Sequence, residues 1–249
     1  MAKKEKLQGP RTVGQITQAN QVQPDPSRRR IIRIPNFDPI RAKHEIRAIA
    51  EHLYPGYEFT PALKQAWRIV LLYFAGDPSV ETIEINGQFI SLDKSLVLYG
   101  KYGCGKTAIF RIIHKWIELK TIACDRPNTF RETTTENILH DMADKNWMDL
   151  PNQNNVVVID GIPVRRPLHI CVHEFGYQYD AKVFGTDANE LIDIFFMKRY
   201  DIHQRDYKLT HGTMNVDADG LRDVFSERLI DRFREMFNII PVMGNSFRK

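Results

Sequence analysis

Apolar positions change their rhythm part-way along the chain. In the first third, the spacing of Ile40, Ile46, Ile49, Ala50 and Leu53 marks one face of a helix from Pro39 to Leu53. A second helix is predicted over "TPALKQAWRIVLLYFAG" (60–76), with Thr60 as N-cap, Pro61 at the first position and Gly76 at the end. From residue 95 onward, short apolar runs alternate with helical spacing. "SLVLYG" (95–100), "NTFRETT" (128–134), "NNVVVIDG" (154–161) and "KLTHGTMN" (208–215) read as strands. Residues 106–120, 135–145 (capped by Thr135), 187–205 and 222–237 read as helices. The run in 154–161 is continuously apolar, as in a strand buried on both faces. This alternation predicts an α/β fold, a parallel sheet flanked by helices. The expected division is a flexible basic arm (1–38), a helical segment (39–80) and the α/β core (81–249).

Charge sharpens that division. Residues 1–50 carry 11 Lys/Arg against 4 acids, a net +7, while the whole chain is only +4. A basic arm on a near-neutral body suits an acidic partner such as nucleic acid. The arm also reads as a solvated tail when residues 1–27 are taken alone. No apolar run reaches membrane-spanning length, and "MAKKEKLQGP" lacks the apolar core of a signal peptide, so a cytoplasmic protein with no membrane partner is expected. Cys104, Cys124 and Cys171 have no metal-ligand spacing and suit a reducing compartment.

The chemistry is concentrated in "GKYGCGKTAIF" (100–110). Gly100, Gly103, Gly105, Lys106 and Thr107 satisfy G-x-x-x-x-G-K-[ST], and the stretch follows a predicted strand and opens a predicted helix. Glycines let backbone N–H groups curl around a phosphate chain, and the helix N-terminus adds free donors. The nucleotide-binding set is therefore Gly100, Gly103, Cys104, Gly105, Lys106, Thr107 and Ala108, with ATP and Mg²⁺ as cofactors. Lys106 is expected to reach the β- and γ-phosphates, and Thr107 to bind the Mg²⁺. An acid closing a buried strand should complete the metal shell, and Asp160 after "VVVI" is the candidate.

The segments "GKYGCGKTAI", "VVVIDGIP", "LTHGTMN", "ERLIDRFREMF" and "GNSFRK" together resemble the AAA+ ATPases of the helicase-loader type, the DnaC/IstB-like group, over about residues 60–249. The resemblance implies that Asn215 is the sensor touching the γ-phosphate or attacking water. It implies an arginine finger acting on a neighbouring subunit's nucleotide, with Arg232 first, Arg228 next and Arg234 also a candidate. Arg248 would face nucleotide as a second sensor. The opposing reading of 227–235 is a solvated helix whose arginines pair with Glu227, Asp231 and Glu235.

One position departs from the family pattern. Gly161 stands where a second acid activates water, so hydrolysis should be slow or should use another base. The stretch 162–185 reads as a long irregular loop containing Glu174, a candidate replacement base. It also holds Phe175, Tyr177, Tyr179 and Phe184 beside Arg165 and Arg166, a set that packs its own loop or stacks on single-stranded bases. His169 and His173, four apart, are a weak metal motif. The expected function is a homo-oligomeric ATPase that assembles on single-stranded DNA and loads or remodels a replicative helicase. The alternatives are a transposition ATPase acting with a transposase, or an ATP-dependent assembly switch with little turnover. A small-molecule kinase is disfavoured, because no separate Arg-rich lid follows the core.

Overall fold

The computed structural model describes residues 31–120, 128–143, 154–159, 162–176, 179, 182–183, 185–216 and 220–244. The expected arm thus falls mostly outside the described residues. Helix α1 (Pro39–Leu53) has the predicted bounds. Asp38 caps it, accepting from the N–H groups of Ile40 and Arg41, and Pro39 stands at the first position. The second predicted helix begins instead as a 3₁₀ turn (Pro61–Leu63), in which the Thr60 side chain makes no capping bond. It continues as α2 (Lys64–Phe74).

A short antiparallel pair, β1 (Glu84–Ile85) and β2 (Gln88–Phe89), precedes β3 (Ser95–Tyr99). Next come α3 (Lys106–Lys120), β4 (Arg131–Thr134) and α4 (Thr135–Ala143). The cap of α4 is Thr134, whose Oγ1 accepts from the Asn137 N–H at 3.1 Å, rather than Thr135. Then follow β5 (Asn154–Ile159), β6 (Ile162–Pro167) and β7 (Ile170–Phe175), with a two-residue pair β8 (Lys182–Val183) and β9 (Thr186–Asp187). Helix α5 (Ala188–Asp206), β10 (Thr210–Met214), α6 (Leu221–Val224), α7 (Glu227–Met236) and β11 (Phe237–Pro241) complete the chain.

Five strands form one wholly parallel sheet in the order β11-β3-β10-β7-β4. One core cluster packs α1, α2 and α3 with β3, and the other packs α4 to α7 with β7, β10 and β11. Helices thus cover both faces, the expected α/β class. Glu45 of α1 accepts from Trp116 Nε1 (2.9 Å) and Lys120 Nζ (2.6 Å), joining the helical segment to α3.

Three further expectations need correction. The segment 154–159, apolar from Val156 to Ile159, is not a strand of the parallel sheet. It pairs antiparallel with β6 in a separate two-stranded ribbon, from Asn154↔Pro167 to Ile159↔Ile162. The place beside β10 belongs to β7, inside the stretch read as an irregular loop. Helix 222–237 breaks at Phe225, where Ser226 caps α7 by accepting from the Leu229 N–H, and its last residue begins the edge strand β11.

Candidate functional site

The loop between β3 and α3 lies at the C-terminal ends of the parallel strands, where α/β sheets hold their ligands. The Gly100 N–H donates to Met214 O at 3.3 Å, so the loop starts from the end of β10 as well as β3. Gly103 and Gly105 take φ of 76° and 93°, the left-handed region that side chains disfavour. The turn therefore curls tightly and delivers the chain into α3 at Lys106.

Lys106 is 6% exposed, and its Nζ donates to Gly100 O (2.6 Å), Lys101 O (2.9 Å) and Asn215 Oδ1 (2.8 Å). The sequence-predicted lysine and sensor asparagine are thereby brought together, 109 residues apart in the chain. Both line a cavity of about 830 Å³ with Gly103, Gly105, Thr107 and Ala108. Gly100 lies beside a neighbouring cavity, whereas the Cys104 side chain is buried. The opposite wall is the turn after α1, from Tyr54 to Glu58.

Two carboxylates line this cavity, Glu58 in the turn after α1 and Glu174 at the end of β7, and Glu174 is the one on a strand of the parallel sheet. Its φ of 59° places it in the left-handed region, a conformation that costs a non-glycine residue roughly 1–3 kcal/mol. Two bonds hold it there. The Glu174 N–H donates to Thr213 Oγ1 (3.0 Å), and the Glu174 carbonyl accepts from Thr135 Oγ1 (3.2 Å). Asp160 and Gly161 lie outside the described residues, between two strands that pair with each other and with no strand of the parallel sheet.

Behind the loop, β4 and β7 assemble a second polar cluster. Glu132 accepts from His173 Nε2 (3.2 Å) and Arg111 Nε (3.3 Å), and His114 Nδ1 lies 3.4 Å from its other oxygen. Burial would raise the Glu132 carboxyl, but the bonds to His114 and His173 outweigh it and hold it well below the usual carboxylate range. Arg111 reaches from this cluster to the cavity wall. The two histidines of the metal motif separate. His173 joins Glu132, and His169 Nδ1 accepts from the Leu209 N–H at 3.0 Å. No group of three or more metal-ligating side chains occurs among the described residues.

The finger candidates lie away from this cavity, on α7. Arg232 stacks over the Tyr200 ring (4.7 Å) and donates from Nη1 to Tyr200 Oη and Glu235 Oε1, each at 3.3 Å. Arg234 pairs with Asp231 at 2.8 Å. Arg228 is exposed and has no ion pair among the described residues. Arg248 lies outside them. The aromatics of 162–185 divide similarly: Phe175 is buried in the core, Tyr179 packs against it, and Tyr177 and Phe184 are outside the described residues.

Sequence reasoning named Glu174 as a candidate replacement base within a loop, but missed the strand that carries it, the contribution of Thr213 and Arg111, and the 54–58 wall. The available signal was "ICVHEFG", an apolar run ending in an acid and a glycine.

No family model and no curated protein matches the sequence. Among solved structures, AMPPCP-bound DnaA from Aquifex aeolicus is 13% identical with a TM-score of 0.48, covering 76% of this chain and 49% of that one. A DNA replication initiation factor is 12% identical with a TM-score of 0.49, over the same shares. DnaI is 15% identical with a TM-score of 0.46, covering 83% of this chain and 93% of its own. The chain spans about half the length of the first two. Its own sheet order and glycine-rich loop define an α/β protein of the P-loop class. No helix of the described residues is long and apolar enough to cross a membrane.

Proposed function

We propose that the protein is an AAA+ ATPase that binds ATP with Mg²⁺, assembles on DNA and loads or remodels a DNA-acting partner, first of all a replicative helicase. The observation that carries the nucleotide reading is the convergence of Lys106, Thr107, Asn215 and Glu174 on one cavity at the strand ends. Backbone N–H groups of the loop and the start of α3 suit phosphate oxygens, and Lys106 supplies the cation. The hydroxyl of Thr107 and the carboxylate of Glu174 are hard oxygen donors of the kind Mg²⁺ takes. Bound there, Mg²⁺ would neutralise charge on the phosphates.

Glu174 is the acid we assign to organising the metal or drawing a proton from the attacking water, the role first expected of Asp160 or its neighbour. Asn215 orients that water, and its bond to Lys106 fixes its amide. The DNA and helicase assignment rests on the family resemblance of the sequence motifs and on the basic arm.

The deciding experiment measures fluorescent-ATP binding and ATP turnover with and without single-stranded DNA. Lys106→Ala should lose binding, whereas Glu174→Gln should keep it and lose about 10²–10⁴-fold in turnover. Unchanged turnover in Glu174→Gln, with loss in Asp160→Asn, would return the acid to position 160.

A further inference from the structure

Away from the nucleotide cavity, α1 and α2 diverge around a groove of about 650 Å³. Its floor is apolar. Ile46, Trp67 and Leu71 line it, with Phe59 from the connecting turn and Ile40, which is 69% exposed. Each helix sets one cationic pair at the edge, Lys43 and Arg47 on α1 and Lys64 and Arg68 on α2. Members of each pair are four residues apart and so stand one turn apart on the same face. Arg47 lies over the Phe59 ring, with Cζ 5.8 Å from its centre. None of the four has an ion pair among the described residues, and no carboxylate lines the groove.

We propose that this groove docks an acidic amphipathic helix of a partner protein, whose apolar stripe enters the floor while carboxylates one turn apart meet the two cationic pairs. The inference goes beyond the nucleotide site and does not rest on it. Unpaired cations on both sides of an apolar trough select a ligand with negative flanks and an apolar face, the helix-in-groove mode. The chain's own N-terminal arm does not qualify. Residues 1–30 carry seven Lys/Arg against two acids, so like charges repel it from these edges. Single-stranded DNA fits less well, because its bases need open ring faces. Here Trp67 is buried, edge-on to Tyr57 and bonded to the Tyr57 hydroxyl through Nε1.

The test uses the full chain and a fluorescein-labelled designed 20-residue helix with a leucine stripe flanked by glutamates. Its control carries glutamine in place of every glutamate. The acidic helix should bind at least tenfold tighter than the control and weaken steeply with salt. Lys43→Glu/Arg47→Glu and Lys64→Glu/Arg68→Glu should each reduce its affinity at least tenfold, and Ile40→Ser should reduce it several-fold. Circular-dichroism spectra and melting temperatures matching the parent show that the variants are folded. Equal affinity for both helices, no binding, or no effect of the charge reversals would overturn the proposal. Displacement of the helix by a dT₂₀ oligonucleotide, with the reversal variants losing dT₂₀ affinity in parallel, would make the groove a nucleic-acid surface instead. A change of oligomeric state in those variants would make it a contact between copies of this chain.

Discussion

His211 shows how one side chain couples the core to solution conditions. It is fully buried on β10 among Phe74, Phe110 and Phe130, and its Nδ1 accepts from the Leu96 N–H at 3.0 Å. Burial, with the nearby His169 and Arg199, pushes its pKa well below the ordinary histidine value. Below about pH 6.5 the unfolded chain takes up a proton that the folded chain refuses, so stability falls as the solution is acidified. His211→Asn keeps an acceptor for Leu96 but does not titrate. It should be about 1–3 kcal/mol less stable at pH 7, and the gap to the parent should narrow between pH 6.5 and 5. Denaturant melts at the two pH values measure this. At the same scale, Lys106 and Thr107 were named from a local motif and Asn215 from the family resemblance, and the three line one cavity. The place of Glu174 was not legible, because an exposed acid after an apolar run declares its role only once its strand is known to lie beside β10.

Elements were legible where capping and spacing agreed. Helices α1 and α3 have their predicted bounds because Asp38-Pro39 and the glycine-rich loop fix their starts. The ribbon β5–β6 was misread because a continuous apolar run suits a buried strand and a hairpin strand equally. Yet the pairing Ile159↔Ile162 leaves only two residues between the strands, Asp and Gly, a dipeptide that itself favours hairpins. Strand β11 was not predicted, and its first residue was taken into a helix because Phe237 continues the spacing of α7. The seam between β7 and β10 makes its own prediction. A Cβ on Gly212 would lie 2.5 Å from Phe175 Cε1 and 2.6 Å from Val172 O, and the carbonyl belongs to a paired strand. Gly212→Ala should destabilise the fold by about 1–3 kcal/mol and disturb Glu174 next to Phe175, seen as a lowered melting temperature with weakened ATP binding.

At the scale of the whole molecule, the alternation of elements announced an α/β sheet without giving its order, since non-local pairing is invisible to periodicity. Whether the sheet works alone turns on α7. Arg232 is engaged by Tyr200 and Glu235 of its own chain, while Arg228 stands exposed one turn away. If subunits complete one another's sites, Arg228→Ala should leave ATP affinity within a few-fold and suppress the rise of turnover with protein concentration. Arg232→Ala should first lower thermal stability. Turnover assayed across a dilution series, beside melting curves, separates the two; a concentration-independent rate in the parent would count against action between subunits.

Arg199 is fully buried, with its pKa lowered to about 9 by that burial, so it stays charged at neutral pH. Its guanidinium donates to Leu168 O and Leu209 O, each at 3.0 Å, and to Thr210 Oγ1 at 2.8 Å, where the chain enters β7 and β10. Two adjacent strands are thus riveted at their entry ends, whereas Glu174 and Asn215 sit at their exits. Any yielding between these strands fans out toward the exits, so a small tilt about the rivet becomes its largest displacement where the two proposed reacting groups stand.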